Sequence, residues 1–140
     1  MKFEYGEEEN LHLHDEAYQK ALGFAERKQV NARVKIGSTA AWLRSASGNE
    51  YLGKSLVAAC GLGYCAEQGA IAAMLNAGET VIESLMAVDH EGTVLVPCGK
   101  CLELISQLDD ANRDTRILLG GGKEYTLRQL YPIDWKKKPF

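Results

Sequence analysis

The sequence contains no apolar stretch that approaches the roughly 20 residues needed to cross a lipid bilayer. Its first ten residues are acidic and lack the apolar core of a secretory signal peptide. Proline is scarce, at 3 residues, and we find no internal repeat, low-complexity tract or inter-domain linker. We therefore expect a single cytoplasmic domain over residues 1–140, with no membrane partner.

The sequence also has no excess of positive charge. Lys and Arg together number 16 against 19 Asp and Glu, which gives a net charge of −3, and the one dense basic run is Lys136–Lys138. Binding a polynucleotide requires several basic side chains that neutralise phosphates. The composition therefore excludes long nucleic acid as an expected partner and favours a small molecule.

Cysteine is sparse as well, at 4 residues, but three of the four fall into a pattern. The pattern consists of two segments, Cys65-Ala66-Glu67 and Pro97-Cys98-Gly99-Lys100-Cys101. Because no export signal is visible, we interpret the cysteines as thiols or metal ligands rather than disulfides. A structural zinc site uses four protein ligands, whereas a catalytic one uses three and leaves the fourth position to water. Three cysteines with a glutamate close by therefore predict a catalytic Zn²⁺ centre.

Both cysteine segments stand where a helix is expected to begin. Residues 67–77 are alanine-rich and apolar nearly all round, and Gly78 follows as a helix stop. Residues 100–108 place Cys101 and three apolar side chains on one helical face. The positive end of a helix dipole favours thiolates. We expect two helix N-termini to meet at the metal.

The rest of the pattern predicts the order α-β-β-α-β-α-β, followed by a short terminal element. An amphipathic helix opens the chain, and the first two strands pair antiparallel across a polar turn. Helices that alternate with strands after Cys65 indicate crossovers packed on a mixed sheet. Trp42 is expected to pack in that sheet. The predicted first helix covers residues 11–28, and the predicted strands cover 34–43, 51–57, 80–89 and 115–119.

Several residues have a structural interpretation beside the functional one. A four-cysteine structural zinc site that includes Cys60 is an alternative, but such sites favour closer paired spacings, and we interpret Cys60 as a small buried core residue. Trp135 either closes the core or stacks on a substrate. The three histidines, His12, His14 and His90, have no ligand-like spacing and are interpreted as surface or helix-start residues.

The two cysteine segments resemble the signature of the zinc-dependent cytidine deaminases, in the all-cysteine variant of their small members, and are also similar to blasticidin S deaminase. The segments Ile36–Leu43 and Leu130–Trp135 are similar to the first core strand and the C-terminal segment of that family. The resemblance implies an α/β fold of three layers, α/β/α, around a central mixed five-stranded sheet. It also implies a homo-oligomer, a tetramer or a dimer.

The resemblance implies a function and site residues as well. Cys65, Cys98 and Cys101 would bind zinc, and Glu67 would shuttle protons while a zinc-bound hydroxide deaminates a cytosine-like nucleoside, nucleobase or related amino-heteroaromatic compound. The resemblance also implies that the backbone N–H of Ala66 contacts the substrate. Trp135, which departs from the family pattern, is a second candidate contact because its aromatic ring is able to stack on a substrate. The alternative is a non-catalytic zinc-stabilised binding or assembly module on the same fold.

Two departures from the family pattern concern the substrate and the charge of the metal site. Residues 53–59 hold no Asn-x-Glu element of the kind that binds ribose in the family. Gln68 stands where the family commonly has an arginine that offsets thiolate charge. The sequence therefore predicts the type of chemistry but not the substrate.

Overall fold

The computed structural model describes residues 7–133 and Trp135; the basic run Lys136–Lys138 lies outside the described residues. Helices and strands alternate along most of the chain. The helices are α1 (Glu7–Phe24), α2 (Ala66–Asn76), α3 (Gly99–Leu108) and α4 (Leu127–Leu130), with 3₁₀ turns at Asp110–Asp114 and Gly120–Gly122. The strands are β1 (Lys28–Gln29), β2 (Lys35–Ser45), β3 (Glu50–Val57), β4 (Ile82–Asp89), β5 (Val94–Leu95), β6 (Arg116–Leu118) and β7 (Glu124–Thr126).

The strands form one mixed sheet in which β4 and β6 are the parallel pair and the other pairs are antiparallel. Lys35 and Ile36 pair with both β1 and β3, so these two strands lie on opposite edges of β2 and β1 shares an edge with β4. Ala87 and Val88 pair with both β2 and β5, so β5 lies on the same edge of β4 as β6. The sheet is therefore five strands wide, as the resemblance implied, with β1 and β5 as two-residue additions.

The two faces of the sheet carry separate cores because successive strand residues point to opposite sides. Trp42, Met86 and Leu118 pack against α1 on one face. Their sequence neighbours Leu43 and Leu85 pack against α2 and α3 on the other face. Helices thus cover both faces, and the expected α/β/α layering is confirmed. No helix among residues 7–133 has the length and apolar character needed to cross a membrane.

The predicted elements match the structure in type and differ at their ends. The first helix ends at Phe24 instead of residue 28, because Lys28–Gln29 leaves the helix to pair with β2. The first two long strands, β2 and β3, pair antiparallel as expected. Trp42 of β2 is fully buried between the sheet and α1. Backbone pairing between distant segments has no sequence signal of its own, which explains why the short strands β1, β5 and β7 were missed.

Two of the structural interpretations are wrong. Cys60 is exposed, at the tip of a turn where the Leu62 N–H donates to the Ala59 carbonyl, and it has a left-handed φ of 61°. This tight turn before α2 keeps Cys60 out of the core. The apolar residues around Cys60 gave no indication of the turn. His14 is buried on the sheet side of α1, where its Nε2 lies 3.1 Å from Glu124 Oε2. The contact with the Glu124 carboxylate offsets the free-energy cost of removing the imidazole from water.

Asn112 is a fully buried polar residue that joins the end of α3 to the start of β4. Its Oδ1 accepts a hydrogen bond from the Ile82 N–H at 2.8 Å, and its Nδ2 donates to the carbonyls of Thr80 and Ile105 at 3.0 Å each. These bonds satisfy backbone groups that would otherwise be buried without partners. They fix α3, and with it two of the sequence-predicted metal ligands, against the central strand.

Glu79 fixes the turn between β2 and β3, and we predict that this contact weakens in acid. Hydrogen bonds from Tyr51 first, then from Ser47 and Asn49, lower the pKa of Glu79 to about 2. Since the pKa is lowered in the folded state, the contact stabilises the fold above the ordinary glutamate pKa, and its contribution falls as the pH drops from about 4.5 to about 2. Glu79→Gln should therefore melt at a lower temperature than the wild type at pH 7, with the gap closing across that window.

Thermal melts of both proteins between pH 2 and pH 7 test this expectation. Tyr51→Phe is the matched variant, because it removes the 2.6 Å hydrogen bond to Glu79 without touching the carboxylate. A melting-temperature gap between Glu79→Gln and wild type that stays constant down to pH 2 would contradict the assignment.

Candidate metal centre

The N-termini of α2 and α3 meet on one face of the sheet, and a cysteine occupies the N-cap position of each helix. Cys65 precedes α2 and Cys98 precedes α3, both with extended backbone angles. Cys101 lies in the first turn of α3 and is fully buried. The N-termini of both helices therefore converge at the three thiols, as the sequence predicted.

The three thiols form a compact cluster. The Sγ atoms of Cys65 and Cys98 lie 3.7 Å apart, and those of Cys98 and Cys101 lie 3.6 Å apart. All three sulfur atoms lie within 4.8 Å of one another, and among the described residues this is the one group of three or more His, Cys, Asp or Glu side chains with such spacing. Cys60 is not part of the cluster.

The cluster fits zinc. Zinc binds thiolate sulfur at about 2.3 Å in tetrahedral geometry, which places two bound sulfurs about 3.8 Å apart. The two measured separations, 3.7 Å and 3.6 Å, agree with that spacing. Soft thiolates suit zinc better than they suit magnesium or calcium. Three donors without a fourth cysteine are the ligand set of an open zinc site.

Glu67 is the carboxylate beside the cluster. It is the second residue of α2 and is 5% exposed. Its Oε2 accepts a hydrogen bond from the Cys101 thiol at 3.3 Å. A nearly buried carboxylate therefore lies within hydrogen-bonding distance of one of the three sulfur atoms of the cluster.

The protein's own charges disfavour three thiolates side by side. Burial, and after it the neighbouring Glu67 carboxylate, raises the pKa of the Cys101 thiol well above its ordinary value. Burial and the adjacent Cys98 also raise the pKa of Cys65. A divalent cation reverses this balance, because a thiol that coordinates a metal ion gives up its proton.

Cys98 behaves differently from the other two thiols. Burial alone would raise the pKa of Cys98, but hydrogen bonds with the backbone and thiol of Cys101, the thiol of Cys65 and the backbone of Lys100 lower it below its ordinary value. The two backbone donors belong to the first turn of α3, whose free N–H groups favour an anion. The start of α3 thus supplies part of the positive character that an arginine at the position of Gln68 would add.

The cluster is open to solvent on one side. Cys98 is exposed and Cys65 is half-buried, whereas Cys101 and Ala66 are buried. Large apolar side chains on the two segments that lead to the ligands are also exposed. They are Leu62 at 71%, Tyr64 at 42% and Val96 at 58%. The thiol cluster is therefore accessible to solvent, and the segments that lead to it carry exposed apolar side chains.

Trp135 is held away from the thiol face of α3. Its indole Nε1 donates to Glu103 Oε1 at 2.5 Å. Glu103 follows Cys101 by two positions, which is about 200° around a helix. The structure therefore brings Cys65, Cys98, Cys101 and Glu67 together and ties Trp135 to a different side of α3, so its contact with substrate stays a prediction.

Two site residues were missed in the sequence, Gly53 of β3 and Gly69 of α2. A Cβ atom built on Gly53 would lie 2.1 Å from the backbone nitrogen of Ala70 and 2.5 Å from the carbonyl oxygen of Ala66. The backbone of β3 therefore touches the first turns of α2. A glycine inside a strand and another inside a helix are the sequence signal that could have indicated this close approach.

No protein-family model and no curated protein matches the chain. Solved structures do match it, and those described here share less than a quarter of their residues with it. The cytidine deaminase from Mycobacterium leprae is 23% identical with a TM-score of 0.70, and the alignment covers 85% of this chain and 97% of that one. The cytidine deaminase from Burkholderia pseudomallei is 22% identical with a TM-score of 0.67, covering 89% and 98%.

A third match gives the same result. The cytidine deaminase from Mycobacterium tuberculosis is 22% identical with a TM-score of 0.70, and the alignment covers 86% of this chain and 95% of that one. At such identities the similarity establishes the fold. The chain has the fold of the cytidine deaminases over most of its length.

Proposed function

We propose that this chain, with its cytidine deaminase fold, is a zinc-dependent aminohydrolase that deaminates a cytosine-like nucleoside, nucleobase or related amino-heteroaromatic compound. The observation that carries the proposal is the placement of the Glu67 carboxylate 3.3 Å from Cys101 within a cluster of three thiols. A purely structural zinc site has no use for a nearly buried carboxylate beside it, whereas a hydrolytic site requires a base there.

Cys65, Cys98 and Cys101 would hold the zinc ion, which when bound acts as a Lewis acid and makes water a nucleophile at neutral pH. Glu67 accepts the proton that the water loses, at a carboxylate oxygen. It then returns a proton to the ring nitrogen and supports departure of the amino group as ammonia. Water supplies the carbonyl oxygen of the product, so the atoms balance without a further reactant.

The substrate is proposed as a class because the residues that would bind a sugar differ from the family pattern. Residues 53–59, Gly-Lys-Ser-Leu-Val-Ala-Ala, offer no carboxylate to a ribose diol. A site that lacks a hydrogen-bond partner for a hydroxyl discriminates poorly for it. The homo-oligomeric assembly that the resemblance implies and the cytoplasmic location expected from the sequence belong to the same proposal.

Ammonia release from the zinc-loaded protein tests the proposal. The panel consists of cytidine, deoxycytidine, cytosine, guanine and blasticidin S, which cover nucleoside, base and base-bearing antibiotic. We expect release from at least one member, in proportion to bound zinc. Zinc-loaded protein that releases no ammonia from any of the five would contradict the proposal and favour a zinc-stabilised binding or assembly module.

A further inference from the structure

The backbones of α2 and β3 lie in direct contact, and the contact is possible because neither partner carries a side chain there. A Cβ atom on Gly53 would come within 2.1 Å of the Ala70 nitrogen, 2.5 Å of the Ala66 oxygen and 2.6 Å of the Gly69 carbonyl carbon. From the other side, a Cβ atom on Gly69 would lie 3.3 Å from both Gly53 Cα and the Lys54 oxygen. The atoms on both sides of this contact are backbone atoms, which cannot rotate away.

The part of α2 that touches β3 is the part that carries the site. Cys65 is the N-cap of α2 and Glu67 is its second residue, so both belong to the turn whose carbonyl at Ala66 faces Gly53. Cys98 and Cys101 belong to α3 instead. Any displacement of α2 from β3 therefore moves Cys65 and Glu67 relative to the α3 cysteines, while the separation of the two α3 sulfurs stays the same.

Helix propensity alone does not account for Gly69. Glycine is among the least favourable residues in a helix interior, and alanine is the most favourable. Four of the eleven residues of α2 are alanine, including Ala70 directly after Gly69. A glycine at this position therefore weakens the helix locally and permits the approach of β3.

We propose that Gly53 and Gly69 are positioning residues that set the height of the first turn of α2 above the sheet, and so the position of Cys65 and Glu67 relative to Cys98 and Cys101. This inference rests on the proposed function for its catalytic consequence. Its geometric consequence, the completeness of the three-thiol metal site, does not depend on which reaction occurs.

Gly69→Ala is the deciding variant, because a Cβ at 3.3 Å requires a shift of only a few tenths of an ångström. We expect a melting temperature equal to or above that of wild type, since alanine favours the helix. We also expect kcat to fall about tenfold with little change in KM, because small misplacements of a catalytic group are costly. Titration with Co²⁺ should show weaker sulfur-to-cobalt charge-transfer absorbance and several-fold weaker binding.

Gly53→Ala should have the same effects more strongly, with turnover falling about 100-fold, because its Cβ would collide with backbone at 2.1 Å. Gly23→Ala is the matched control: it lies in α1, has no heavy atom within 4 Å of the added Cβ, and should leave kcat and the cobalt spectrum unchanged.

Gly69→Ala with wild-type kcat and a wild-type cobalt spectrum would overturn the inference. A loss of activity that follows a fall in melting temperature, and that disappears on cooling, would overturn it as well, because it would indicate general destabilisation. If wild-type protein releases ammonia from no compound, the proposed function fails, while the cobalt titration still tests the positioning on its own.

Discussion

Glu67→Gln is expected to keep its zinc and to lose most of its turnover, by roughly 10²- to 10⁴-fold. Glutamine has the size and shape of glutamate, so the first turn of α2 and the nearby thiols retain their packing. Its amide cannot accept a proton from water or return one to a ring nitrogen. The loss should appear in kcat for whichever compound the wild type deaminates, with one zinc per chain in both proteins.

Glu91→Gln is the matched control for this prediction. The Glu91 side chain is 76% exposed, lies 3.8 Å from His90 Nε2 and is not part of the thiol cluster. Its turnover should equal that of wild type. Full turnover in zinc-loaded Glu67→Gln would show that another group carries the proton.

Cys101→Ser is expected to abolish stable zinc binding. A serine hydroxyl is a far poorer zinc ligand than a thiolate, and Cys101 is the buried member of the cluster, so no outside group can replace it easily. Since changes to groups that merely support a ligand cost 10- to 100-fold in affinity, loss of a ligand should cost at least about 100-fold. Purified protein should contain close to no zinc, and turnover should fall with it.

The same variant should lose the stabilisation that zinc provides. At about 1,000 times its Kd, a ligand that binds only the folded state adds about 4 kcal/mol, which for a chain of this size is roughly 10 °C in melting temperature. Zinc should therefore raise the melting temperature of wild type and leave that of Cys101→Ser unchanged. Circular dichroism melts with and without zinc measure this difference.

Cys60→Ser is the control for the cysteine series. Cys60 is exposed in the turn before Cys65 and is not part of the thiol cluster. Its zinc content, zinc-dependent stability and turnover should match wild type. Loss of zinc from Cys60→Ser would indicate a four-cysteine site and would contradict the catalytic assignment.

The local part of the site could be predicted from the sequence because its signals are local. Cys65 and Cys98 each precede an apolar helix-forming segment, and the structure makes each the N-cap of that helix. Helix periodicity likewise placed Cys101 on the inner face of α3. Such features depend on residues within a few positions of one another, so a single sequence contains them.

What the sequence concealed depends on contacts between distant segments. The buried pair of His14 and Glu124 joins positions 110 residues apart, and neither local stretch indicates the other. Cys60 looks like a core residue because its neighbours are apolar, whereas its left-handed backbone angle turns it outward. The contact of Gly53 with α2 is also invisible until β3 and α2 are packed together.

X-ray absorption at the zinc edge of the purified wild-type protein tests the central claim, an open zinc centre built from Cys65, Cys98 and Cys101, most directly. The account predicts three sulfur neighbours at about 2.3 Å and one oxygen neighbour at about 2.0 Å. Four sulfur neighbours would show a closed structural site and would contradict the account, as would protein that takes up no zinc.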